Sequence, residues 1–300
     1  MSLARSAIVG DYSPSDTIHD PIGVGLLELF KGVPLYRLVR CSRIRRTAEI
    51  QVNSLTMIPV WLHSLSIAYL LVGATCAAVI VLDEIKNPQH MWIMNVVWPV
   101  TALFGTAWIL WQYFFYGRLA TRERAHAAMG RHEEPPNKKL TPFPILVSNA
   151  TLHCGAGCTL GDICAEWLVF AVPSIAILFG WQTIFNERMF AVWIVDYLFA
   201  YAFGIVFQYF TIAPMRGLSL REGLIAAIKA DTLSLTAWQI GMYGFMAFAH
   251  FYVFRQFIGA NLEVTSVEFW FMMQIAMLFG FATSYPVNWW LIRSGIKERM

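Results

Sequence analysis

Apolar residues gather into six long runs along this chain, at roughly 57–82, 91–116, 146–172, 190–213, 233–254 and 269–292. Each exceeds the about 18 residues a helix needs to cross a hydrocarbon core at about 1.5 Å per residue. The pattern predicts an all-α integral membrane protein, multi-pass, with six transmembrane helices in the lipid bilayer.

The basic residues sharpen this picture. With six spans, the N-terminal segment holds seven Lys and Arg, the 117–145 loop six, the 214–232 loop three and the C-terminus three. The other three loops hold one each, Lys86, Arg188 and Arg255. That asymmetry predicts cytoplasmic N- and C-termini. Only 14% of the residues are charged, against about 25% in soluble domains. Arg43, Arg45 and Arg46 read as topology determinants and lipid contacts, so no nucleic acid partner is implied.

No compact apolar core follows the first arginine, so residues 1–56 read as a cytoplasmic leader rather than a cleaved signal. Within it, IGVGLLELFKG and VPLYRLVR suit helices lying on the membrane surface, separated at Pro34. A two-span front (57–116), a proline-bearing cytoplasmic linker (117–145) and a four-span back (146–300) follow. Ser219 and Glu222 form a capping box, predicting a short cytoplasmic helix that delivers Asp231 to the inner membrane surface. The C-terminal NWWLIRSGIKERM, with Arg293, Lys297 and Arg299, reads as an interfacial anchor.

The chemistry gathers in LHCGAGCTLGDICAEW, residues 152–167, inside the third span. Cys154, Cys158, Asp162 and Glu166 recur every fourth residue and so share one helical stripe. The first and last are about 18 Å apart on a helix, far beyond metal–ligand bonds of about 2.0–2.3 Å. Cys154 and Cys158 can share an ion, Asp162 reaches it with difficulty, and Glu166 does not. His153 is rotated by about 100° from Cys154 and joins only if the glycines bend the backbone. Those glycines, Gly155, Gly157 and Gly161, equally suit close helix packing.

Depth selects partners from other spans. His63, near the inner start of the first span, and Asp231, at the inner start of the fifth, fall level with the cysteines. Glu166, Asp196 and His250 form a second, outer polar group. Together they make a ladder, soft and thiol-rich inside and harder outside, with Asp162 between.

HCGAGCTLGD, KADTLSL, WQIGMY and NWWLIRSGIKERM resemble a family of multi-span membrane proteins of unknown function, widespread in bacteria and sometimes labelled copper-related. The resemblance covers about residues 145–300. It implies that His153, Cys154, Cys158, Asp162, Asp231, Asn288, Trp289 and Arg293 belong to characteristic motifs, and it implies no established activity.

The leading expectation is a protein that binds or moves a soft or borderline metal ion, copper or zinc, through His153, Cys154, Cys158, Asp162, Asp231 and His63. Two alternatives stay open: a thiol oxidoreductase using Cys154 and Cys158, and an accessory structural subunit of a homo-oligomer or membrane complex. No Ser-His-Asp constellation, phosphate loop or HExxH motif occurs.

Overall fold

The computed structural model of the chain describes residues 58–297; the leader with its surface helices, Cys41 and Arg299 lie outside them. The described residues are helical, with no strands among them. The elements are α1 (Val60–Lys86), α2 (Met94–Phe115), α3 (Arg122–Gly130), α4 (Pro136–Leu140), α5 (Phe143–Ala171), α6 (Ser174–Leu178), α7 (Arg188–Arg216), α8 (Leu220–Ala247) and α9 (Val267–Arg293). Five helices, α1, α2, α5, α7 and α9, are long and apolar enough to cross a membrane.

Local chemistry sets the ends. Pro59 precedes α1, and Pro142 precedes α5, where a missing N–H costs nothing. Gly217, with φ +61°, closes α7 in the left-handed conformation. Ser219 and Glu222 complete the expected capping box at the start of α8. The helix they begin is not a short separate one: it runs unbroken to Ala247 and passes directly into a π-helix, Phe248–Ile258. Thr232, Ser234, Thr236 and Gln239 make α8 less apolar than the other long helices.

The second expected crossing is corrected. Thr106, with φ 46° and ψ −125°, breaks α2 at its middle. Trp98 and Tyr113 would lie about 22 Å apart on a straight helix, yet their ring centroids are 5.6 Å apart. At the base, the His90 N–H donates to the Ala120 carbonyl and the Arg122 N–H to the Pro88 carbonyl. The segment therefore enters the bundle, turns at Gly105–Thr106 and returns to the end it came from. Its tip packs on the bundle interior, where Phe104 meets Trp238 and Trp108 meets Phe281.

This fold-back reverses the expected direction of α1. Tyr69 packs on Phe271, and Gly73 faces the Gln274 side chain, so α1 and α9 run parallel. Six alternating spans would have made them antiparallel. One end of the bundle, here the basic end, carries the end of α1, the base of α2, the start of α5 and the ends of α7 and α9. The far end carries the starts of α1, α7 and α9 and the π-helix.

Candidate functional site: a polar file through the bundle

α5 is the central helix and runs without a break from Phe143 to Ala171. Its glycines serve packing. A Cβ on Gly157 would stand 3.0 Å from the backbone of Gly204, one on Gly161 2.4 Å from that of Ala200, and one on Gly155 2.3 Å from the Trp238 ring. Small residues here let α7 and α8 approach closely, bringing their polar side chains to the same interior.

The straight helix separates His153 from Cys154, as helical geometry requires. The His153 ring turns to α7, where its Nε2 lies 2.9 Å from Thr211 Oγ1 and the ring makes a T-shaped contact with Phe207. Cys154 and Cys158 are buried one helical turn apart, and Cys158 lies within electrostatic reach of Cys154, Asp162 and Asp231. Asp231 is buried inside the bundle, against Gly204.

Asp231 has a partner that the sequence did not single out. The Lys297 ammonium donates to Asp231 Oδ1 at 3.3 Å, with side-chain exposures of 0% and 1%. Gly295, with φ +74°, turns the chain after α9, and the N–H of Lys297 then donates to the Leu291 carbonyl. That turn sends the lysine back into the bundle, within electrostatic reach of His153. Beside it, Asn288 Nδ2 donates to Ser234 Oγ at 2.7 Å and to Ser284. The aspartate and lysine thus form a buried pair, the kind in which removing one partner strands the other charge.

Farther along, Asp162 accepts a long 3.5 Å hydrogen bond from Gln239 Nε2 at Oδ1, while its Oδ2 has no partner. Asp196 is buried with neither carboxylate oxygen partnered, within electrostatic reach of Asp162 and Glu166. Tyr243 reaches the same group and donates to the Trp193 carbonyl at 2.9 Å. Glu166 then lines a far-end cavity of about 230 Å³ with Arg188, His250, Arg255 and Glu187. Within it the Arg255 guanidinium donates to Glu187 at 2.7 Å, and that hydrogen bond holds the Glu187 carboxyl below its ordinary range.

The file opens toward the basic end as well. Thr211, the partner of His153, lines a cavity of about 380 Å³ with Gln89, His90, Met91, Met94 and Lys138. There the His90 imidazole is held below its ordinary pKa, first by partial burial and then by His126 and Arg122 nearby. Glu166, Asp196, Asp162, Cys158, Asp231, His153 and Thr211 thus form a succession from one cavity toward the other.

His63 takes no part in it. Its Nδ1 lies 2.6 Å from Glu268 Oε1 at the far end, because α1 runs opposite to the expected direction. His250 lines the far-end cavity with Glu166, and Asp196 sits deeper. Among the described residues, no group of three or more His, Cys, Asp or Glu stands at metal-ligand spacing.

A family described as a domain of unknown function (DUF4396) matches residues 146–297, just over half of the chain. The chain belongs to this family, whose region contains α5 through α9 and nearly all of the polar file. No curated protein and no solved structure matches it.

Proposed function

We propose that this protein moves a cation across the membrane through the interior of its bundle, between the far-end cavity at Glu166 and the basic-end cavity at Thr211. The observation that carries this is the set of unpartnered carboxylate oxygens on three helices: Asp162 Oδ2, both oxygens of Asp196 and Asp231 Oδ2. An ionised carboxylate stranded in the membrane interior is costly, and a proton or a bound cation relieves that cost. A proton suits the series best, since Tyr243 and His153 extend it with groups that accept and release hydrogen bonds. In this proposal the basic end, which carries all the described Lys and Arg except Arg188 and Arg255, faces the cytoplasm, and the start of α1 then stands on the opposite side, against the expected cytoplasmic N-terminus.

The test is flux. In proteoliposomes, the purified chain should collapse an imposed pH gradient, and Asp196→Asn should slow this at least about tenfold, since Asp196 has no structural partner to replace it. Unaltered flux through Asp196→Asn refutes the path.

The adjacent thiols favour a second version in which the cation is copper or zinc. Cys154 and Cys158 would supply sulfur, and Asp231 a third donor once Lys297 releases it. Protein purified without chelators from metal-replete cells should then carry metal that the Cys154→Ser/Cys158→Ser variant lacks. Metal-free wild-type protein removes this version and leaves the proton path standing.

A further inference from the structure

The far-end cavity of about 230 Å³ has a mixed wall. Val192, Trp193, Met246 and Phe269 supply an apolar part, and side chains of both charges supply the rest. Some of these charges answer one another. The Arg255 guanidinium holds Glu187 with two hydrogen bonds, at 2.7 and 3.3 Å, and His250 lies within electrostatic reach of Glu263. Glu166 and Arg188 stand apart. Both line the cavity and are only partly buried, and Glu166 feels the charge of Arg188, yet the two form no hydrogen bond or ion pair.

Each is fixed where it is. Arg188 Nη2 donates to the Val169 carbonyl at 2.9 Å, and the guanidinium lies 5.8 Å from the centre of the Trp181 ring. Glu166 stands on unbroken α5, one turn beyond Asp162. A carboxylate and a guanidinium are therefore held beside one cavity without closing on each other.

That arrangement suits few ligands. A metal ion finds no group of three His, Cys, Asp or Glu among the described residues, and it meets Arg188 as well. An anion meets Glu166 and Glu263, and an organic cation meets Arg188. A neutral apolar molecule leaves both charges unanswered. A molecule with an ammonium and a carboxylate on one short frame answers both, and an apolar side chain covers the remaining wall. The volume lies below the about 300–1,000 Å³ of drug-sized sites and keeps that molecule small.

We propose that the far-end cavity binds a zwitterionic α-amino acid with an apolar side chain. Its ammonium lies on Glu166, its carboxylate on Arg188 and its side chain against Trp193, Met246 and Phe269. The inference rests on the cation path only in sharing Glu166, because binding itself requires just this cavity.

Equilibrium dialysis of labelled L-leucine against the detergent-solubilised full chain tests it. Saturable binding is expected, weakened at least about tenfold by Glu166→Gln and by Arg188→Gln. Isocaproate is leucine without its ammonium, and isoamylamine is leucine without its carboxylate. Each should compete at least about tenfold less well than unlabelled leucine. Absence of saturable binding, binding indifferent to both substitutions, or an analogue that competes as well as leucine overturns the proposal. So does stronger displacement by glycerophosphoethanolamine, which would give the site to a zwitterionic lipid headgroup. If neither variant folds, the competition series on the wild-type chain decides alone. Flux without leucine binding refutes this inference alone, and binding without flux refutes the path alone.

Discussion

α1 and α5 are both long helices that meet the same interior, and they solve opposite problems. α1 has a mean hydropathy of 2.4 over its most apolar stretch, of which 28% is buried. α5 has 1.2, with 56% buried. Apolar side chains gain nothing by leaving lipid for protein, so the more apolar helix lies at the edge and the less apolar one takes the centre. The polar groups of α5 require partners that lipid does not supply, and α7, α8 and the turn after α9 bring them. In a membrane, polar complementarity and close backbone approach select the central helix.

The largest test of that contrast is the Asp231–Lys297 pair beside α5. Lys297→Met leaves a buried carboxylate without its cation and should cost about 3–5 kcal/mol, read as a lowered thermal unfolding midpoint in detergent. Asp231→Asn with Lys297→Met removes both charges and should recover most of the loss. A double variant as unstable as Lys297→Met alone would mean that the lysine acts through packing, and the centre of the bundle would then be held as its edge is.

How far the chain announced all this varies along it. The helices at 60–86, 143–171, 188–216 and 267–293 lie close to their expected positions, because uninterrupted apolar runs and capping residues act locally. The turn in α2 was hidden, since hydropathy counts apolar residues without regard to direction. Gly105–Thr106 lies within an apolar run that looks the same straight or folded, and with it went the orientation of α1 and the placement of His63. Asp162 and Glu166 were legible as a stripe on one helix, a matter of spacing. Lys297 was not: past the end of a span, a lysine beside indoles looks like an anchor, and only the turn at Gly295 directs it inward.

A finer test sets a small residue of α5 against a large one of α1. Gly161 meets the Ala200 backbone so closely that a Cβ would fall 2.4 Å from its nitrogen, and backbone cannot rotate aside as a side chain can. Gly161→Ala should therefore push α5 from α7 and cost about 1–3 kcal/mol despite alanine's better helix propensity. Leu71 on α1 is 61% exposed and, in a bilayer, faces lipid. Leu71→Ala removes more atoms yet should change stability by less than about 0.5 kcal/mol, because little protein surface loses contact with it. Unfolding midpoints of the two variants in the same detergent decide the matter. If the leucine deletion costs more than the added methyl, apolar burial rather than close helix approach holds this bundle, and α5 is central for some other reason.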